Sequence, residues 1–343
     1  MKQLLNTLFV TSEDVYLSVD GENVVASRDS KAVARYPLHT LQSIVTFSYS
    51  GASPALLGAC AKRGVGMAFC SRQGRFLART GGENNGNVLL RRQQYRIADS
   101  EEQRCRIARC MVFGKLYNAR KNIERTRRDH GSRVDETALR LASDELRSLS
   151  ENALRCGSEE TLRGLEGAAA SCCFKVFDQL ILNQKDVFFM TGRSRRPPLD
   201  PLNALLSFAY TLLAHDCASA LESVGLDAYV GFLHRDRPGR CSLALDLMEE
   251  LRPCMADRFV LTLINNRIVK DADFETQPSG AVSLKEEARK AFLKHWQQKK
   301  QEQLRHPYLN ETLSWGMIPY AQAMLLARHL RGDLDGYPPF LWK

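Results

Sequence analysis

The feature that most restricts what this chain can fold into is a change of hydrophobic period across Thr80-Gly81-Gly82-Glu83-Asn84-Asn85-Gly86-Asn87, a run of turn formers without an apolar anchor. Before it, apolar residues alternate as in strands. Val15, Leu17 and Val19 face one way, Asp20-Gly21-Glu22-Asn23 supplies turn chemistry, and Val24-Val25 follows, which predicts a β-hairpin. Further strand-like pieces occur at Ile44-Val45-Thr46-Phe47 and Val65-Gly66-Met67-Ala68-Phe69, separated by a helical stretch from Ser53 to Arg63 with Pro54 at its first position. After the break, spacing turns helical, as in Ile107, Met111 and Leu116, and again in Leu162, Leu165 and Ala169.

These periods predict an α+β protein: a β-rich domain over residues 1–80, a linker over 81–88 and a larger, mainly helical domain over 89–343. Within the helical part, the stretch Asp257 to Gln277, with Phe259-Val260-Leu261-Thr262-Leu263, Asn265-Asn266 and Ile268-Val269, predicts a short hairpin. Ser283 is expected to cap a charged helix running to Lys300. A last helix is expected around Tyr320 to Leu330, ending near Gly332.

A length of 343 residues with 44% hydrophobic and 25% charged residues suits a chain with a substantial core rather than a disordered one. The formal charge of +9 favours polyanionic partners. Ten cysteines include no C-x-x-C pair, which disfavours a zinc knuckle and suits buried thiols in a reducing cytosol. The N-terminal residues lack an apolar run and a small-residue cleavage site. The apolar stretch Ala204 to Ala214 falls short of the roughly 20 residues a bilayer requires, so a cytoplasmic protein without a membrane partner is expected. Nucleotide motifs fail as well. Phe69 stands where a dinucleotide fingerprint starting at Gly64 needs its third glycine, and Gly114-Lys115 lacks the rest of a phosphate loop.

Positive candidates are a basic helical run and a set of acids with one histidine. Arg104, Arg106, Arg109, Lys115, Arg120, Lys121, Arg125, Arg127 and Arg128 suit sequence-independent phosphate contacts. Glu166 precedes Gly167-Ala168-Ala169-Ala170, small residues that permit close approach of a helix or ligand. His234 sits in the turn-rich loop Gly231 to Arg240. Asp246 and Glu249 then share one side of an otherwise apolar helix, where carboxylates require a cation. Hard oxygen donors with one imidazole suit Mg²⁺ or Mn²⁺, with a helix-dipole role as the alternative for Asp246. Asp200 is expected to cap a helix begun by Pro201, on which Asn203, Ser207 and Tyr210 share a face. Arg195 and Arg196 precede it as candidate phosphate ligands, so that these five residues form a candidate DNA surface.

Glu166, the stretch Arg195-Arg-Pro-Pro-Leu-Asp-Pro-Leu-Asn-Ala-Leu-Leu-Ser-Phe-Ala-Tyr210, His234, and Asp246-Leu-Met-Glu249-Glu-Leu-Arg252-Pro253 together resemble the CRISPR-associated spacer-acquisition integrases, the large universal subunit of the adaptation complex. The resemblance spans essentially the whole chain, and the tail Tyr337 to Lys343 looks like the subtype I-C branch. It implies that Glu166, His234 and Glu249 bind the metal, that Asp246 is a further acid near the site, and that the N-terminal domain joins a homodimer. It also implies two such dimers flanking a small ferredoxin-like companion subunit in a heterohexamer, and joining of the 3′ ends of a short DNA duplex to a CRISPR repeat. Two rival readings carry different expectations. A non-catalytic DNA-binding scaffold would bind independently of chelator, and a metal-dependent phosphohydrolase of small substrates would not need the basic helix.

Overall fold

The structure is a computed structural model that describes residues 7–12, 14–41, 43–71, 76–80, 88–194 and 197–342. Its strands are β1 (Thr7–Val10), β2 (Tyr16–Asp20), β3 (Asn23–Arg28), β4 (Lys31–Pro37), β5 (Ser43–Thr46), β6 (Gly66–Cys70), β7 (Phe76–Thr80), β8 (Phe274–Thr276), β9 (Val282–Leu284), β10 (Gln303–Arg305) and β11 (Thr312–Ser314). Its helices are α1 (Pro54–Arg63), α2 (Val88–Asp99), α3 (Glu101–His130), α4 (Glu136–Arg155), α5 (Glu159–Lys175), α6 (Phe177–Leu180), α7 (Pro201–Ser223), α8 (Ser242–Leu251), α9 (Arg258–Asn265), α10 (Glu286–Gln301) and α11 (Ile318–Leu330). The α+β class expected from the periods is the class observed. The chain divides into two compact units, Met1–Asn85 with Leu284–Glu302, and Gly86–Ser283 with Gln303–Lys343.

In the first unit, β2, β3 and β4 form an antiparallel meander whose first turn is the expected Asp20 to Asn23 hairpin, with Gly21 at φ 56°. A second sheet has the order β1-β5-β6-β7, parallel except for β7. Helix α1 makes the crossover between β5 and β6. Ser53 caps it by accepting from Leu56 N at 3.1 Å, and Gly64 ends it in the left-handed conformation. Leu17, Val24, Leu38, Ile44, Leu56 and Cys60 meet in the core. Helix α10 joins this unit although it is distant in sequence, burying Phe292, Leu293 and Trp296 and laying Arg289 over the Phe47 ring at 5.5 Å. A linear boundary near residue 80 does not contain such a return. Its N-cap is Lys285 rather than Ser283, because Ser283 belongs to β9 and pairs with β8.

The second unit is built around α3, whose 30 residues span about 45 Å at 1.5 Å per residue. It packs on α4, α5 and α8. Helix α7 is apolar on nearly all sides, and it is long and apolar enough by composition to cross a membrane. Here its apolar residues are consumed by packing on α8 and α11. The hairpin expected over 257–277 is absent. A π-helical segment over Arg252–Asp257 follows α8, and Phe259 to Leu263 continues as α9, burying Phe259, Val260, Leu261, Leu263 and Ile264 and exposing Thr262. Burial along a helical stripe overrides the β preference of these residues. Asn265 does not turn a hairpin but bonds Leu182 N and Leu180 O, and Arg267 rather than Asn266 takes the positive φ.

Candidate active site

Loop 231–241 is shaped by one carboxylate. Asp246, completely buried on α8, accepts from Phe232 N (2.6 Å) and Leu233 N (2.9 Å) through Oδ2, and from His234 N (2.9 Å) through Oδ1. Oδ1 also lies 2.6 Å from His234 Nδ1. Four contacts saturate the acceptor capacity of the carboxylate, and the imidazole is held with Nδ1 toward Asp246 and Nε2 available. The loop can fold this tightly because residue 231 is glycine. A Cβ there would meet Asp246 Oδ2 at 2.8 Å and His234 O at 3.0 Å.

One turn along α8, Glu249 is buried between two cations. Its Oε1 lies 2.6 Å from Arg252 and its Oε2 2.7 Å from Lys115 Nζ. Lys115, from α3, also donates to Glu166 Oε1 on α5, so Glu166 and Glu249 converge on one ammonium group. Burial acts to raise the Glu249 carboxyl pKa, but Arg252, Lys115 and His234 together hold it below the usual carboxylate range. Burial likewise disfavours the charged Lys115, yet Glu249 and Glu166 outweigh it and raise the Lys115 pKa. The structure therefore brings Glu166, His234, Asp246 and Glu249 together from α5, α8 and the loop before α8. Among the described residues no three His, Cys, Asp or Glu side chains stand in metal-ligating geometry, and the two glutamates face Lys115 instead.

Asn203, Ser207 and Tyr210 also come together, around Arg193. Asn203 is fully buried and gives Nδ2 to Gly192 O and Asp200 Oδ2, while Arg193 reaches Ser207 Oγ at 3.2 Å. The guanidinium groups of Arg193 (5.3 Å) and Arg252 (4.7 Å) both lie over the Tyr210 ring, and its hydroxyl bonds Asp257. Burial and neighbouring Asp257 push the Tyr210 pKa well up, and burial moves Asp257 up to about 6. Asp200 caps α7 by accepting from Asn203 N at 2.7 Å. Arg195, Arg196 and linker residues 81–87 lie outside the described residues.

Three features escaped the sequence reading. Lys115 belongs by sequence to the basic run expected to face phosphates but points into the acidic cluster, and Arg104, Arg120 and Arg125 of the same run are also paired with carboxylates. The place of Lys115 on the apolar face, four residues after Met111 and seven after Ala108, is the signal that singles it out. Glu250, next to Glu249, is fully buried and accepts from Tyr337 Oη, Gln322 Nε2 (3.0 Å) and Phe340 N (2.8 Å), with burial pushing its pKa up to about 7. Asn118 clamps the same tail, bonding Glu250 O, Phe340 O and Trp342 N. Gly114 allows this approach, since a Cβ would stand 2.9 Å from Glu250 Cβ.

The Cas1 family model, "CRISPR associated protein Cas1", matches residues 8–298. A CRISPR-associated endonuclease Cas1 from Rhodospirillum rubrum is 51% identical over 100% of both chains, and one from Chlorobaculum tepidum is 48% identical with the same coverage. The structure of a casposase bound to integration product superposes with a TM-score of 0.84 at 20% identity, over 98% of this chain and 94% of that one, which is a likeness of fold. Family match and full-length identity together make this chain a member of the Cas1 family of CRISPR-associated endonucleases.

Proposed function

We propose that this endonuclease acts as a divalent-metal-dependent DNA integrase, inserting short DNA fragments into a CRISPR array through attack of a 3′-hydroxyl on a repeat phosphodiester. The observation that carries this reading is the convergence of Glu166 and Glu249 on one cationic group beside His234, whose Nδ1 is engaged by Asp246. Two carboxylates and one imidazole are a donor set for Mg²⁺ or Mn²⁺. Glu249 Oε2 is buried against Lys115 Nζ at 2.7 Å, so a divalent cation would take over the charge-neutralising place that the ammonium holds between the two glutamates. Glu166, His234 and Glu249 would hold the metal, which when bound would polarise the scissile phosphate and make the attacking hydroxyl more acidic.

The chain's own residues then do the following. Asp246 keeps the Nδ1 proton in place and so keeps the Nε2 lone pair directed outward; with its acceptor sites filled, it positions rather than ligates. Arg252 neutralises Glu249 from the side opposite Lys115 and stacks on Tyr210, which fixes the start of the segment after α8. Arg195 and Arg196 are assigned to DNA phosphates. We further propose that the chain is cytoplasmic and of subtype I-C, dimeric through the N-terminal unit, and partnered by a ferredoxin-like subunit in a heterohexamer with protospacer DNA.

The test is strand transfer of a short duplex into a repeat-bearing plasmid with Mg²⁺, with Mn²⁺ and with chelator. Glu166→Ala and His234→Ala should each abolish transfer at saturating metal. Undiminished integration by either variant overturns the assignment.

A further inference from the structure

Helix α5 carries Glu159, Arg163 and Glu166 at i, i+4 and i+7, so all three share one face. Glu166 belongs to the acidic cluster; the other two have no assigned role. Glu159 stands in the first turn behind the Ser158 cap, where the helix dipole favours an acid. The dipole does not explain its burial, since only 4% of its side chain is exposed. A buried carboxylate requires cations, and three arginines supply them: Arg104 at 2.6 Å, Arg163, and Arg235 at 3.5 Å. Arg104 is anchored in turn by its bond to Ala98 O at 2.8 Å.

Arg163 has a second contact. Its Nη2 donates to Leu233 O at 3.3 Å. The peptide joining Leu233 to His234 is therefore held at both ends, its carbonyl by Arg163 of α5 and its N–H by Asp246 of α8 at 2.9 Å. These are the two helices that carry Glu166 and Glu249. A peptide fixed at its oxygen alone or its nitrogen alone can still rotate about the line of that bond. Fixed at both, it sets the direction in which His234 leaves the backbone.

We propose that Arg163, held by the buried carboxylate of Glu159, is a positioning residue for His234, tying the loop to the helix of Glu166 as Asp246 ties it to the helix of Glu249. The proposal rests on the reading of Glu166, His234 and Glu249 as metal ligands. Arg163 reaches His234 only through the backbone of Leu233, and its effect is on the geometry of the imidazole.

The experiment is Mn²⁺ binding to the full-length protein, followed by electron paramagnetic resonance of free Mn²⁺, alongside strand transfer as a function of Mn²⁺ concentration. Losing the residue that orients a ligand weakens metal binding by about 10- to 100-fold. Arg163→Ala should show a loss of that size, with strand transfer restored toward wild type at high Mn²⁺. Arg163→Lys, which keeps a donor, should lie between the two. Arg104→Ala removes a partner of Glu159 without touching the loop, and should bind Mn²⁺ as the wild type does. Wild-type Mn²⁺ affinity in Arg163→Ala, or an equal loss in Arg104→Ala, overturns the proposal. Glu159→Gln covers the case in which Arg163→Ala does not fold: it leaves Arg163 present but unanchored and should weaken Mn²⁺ binding, and wild-type affinity there overturns the proposal too. Failure of the underlying reading looks different, because Mn²⁺ affinity would then be unchanged in Glu166→Ala and His234→Ala.

Discussion

Replacing Asp246 by Asn changes one atom and one charge at the centre of loop 231–241, and neither orientation of the amide satisfies its surroundings. With the amide oxygen toward His234, the new NH₂ group faces the donors Phe232 N and Leu233 N, formerly 2.6 and 2.9 Å from an acceptor. Two buried N–H groups then lose their partner. At about 1–3 kcal/mol for each unsatisfied buried donor, the loop is destabilised by about 2–6 kcal/mol. With the amide reversed, the NH₂ group faces His234 N and Nδ1 instead. The imidazole would then have to present an acceptor at Nδ1 and carry its proton on Nε2, the nitrogen required for ligation. Both outcomes predict loss of integration together with faster amide exchange within residues 232–234, at 232 and 233 in the first orientation and at 234 in the second, while α3 and α7 keep their protection. Hydrogen exchange by mass spectrometry measures the loop, and strand transfer measures its consequence. An Asp246→Asn protein with wild-type protection at 232–234 and wild-type transfer would refute the reasoning.

Gly231→Ala should destabilise the second unit by about 1–3 kcal/mol, the usual cost of overpacking, because its Cβ meets Asp246 Oδ2 at 2.8 Å; an unchanged thermal midpoint would contradict the packing argument. Glu250 makes stability depend on pH in a stated direction. Its folded-state pKa, near 7 against an ordinary 4.5, means that the native state binds the extra proton, so its contribution to stability is fully present below about pH 4.5 and is lost as pH rises to about 7. A shift of that size corresponds to about 3 kcal/mol, and Glu250→Gln should remove this slope from the melting temperatures between pH 5 and 8. Glu249 acts oppositely and at lower pH: its depressed pKa contributes stability above the ordinary carboxylate range, which falls away as pH drops below it. Tyr337→Phe removes the hydroxyl donor to Glu250 and should cost about 1–3 kcal/mol by chemical denaturation, with protease sensitivity rising first in the tail from residue 337 onward.

How far the site was legible in the sequence follows from how each group is used. Glu166 and Glu249 stand out because an acid in an apolar or small-residue helix has to be paired, and that requirement is visible without coordinates. Asp246 meets the same requirement by a different route, through three backbone N–H groups of a loop that begins 15 residues earlier, and no periodicity encodes which of two acids one turn apart will turn toward a loop and which toward a cation. The hairpin expected over 257–277 failed for a related reason. Phe259-Val260-Leu261 fits strand and helix equally, and the choice is made by neighbours that supply a buried stripe.

Lys115 marks the limit most clearly. Along α3 it is one basic residue among many, and composition sends all of them to phosphates. Carboxylates settle the matter, because Arg104 turns toward Glu159 of α5 and Lys115 toward Glu166 of α5 and Glu249 of α8, while Arg120 pairs with Glu124 one turn along α3 itself. The face of α3 that a count of charges assigns to DNA is thus partly an internal electrostatic frame for the acidic cluster. Lys115→Met should accordingly impair cleavage and raise the Glu249 pKa far more than it alters DNA affinity at moderate salt. Lys121→Met, at a side chain 36% exposed, should do the reverse. Electrophoretic binding titrations across a salt series, run beside cleavage assays on both variants, separate the two roles. If Lys115→Met lowered DNA affinity and the salt slope while sparing cleavage, the lysine would belong to the phosphate-binding face after all.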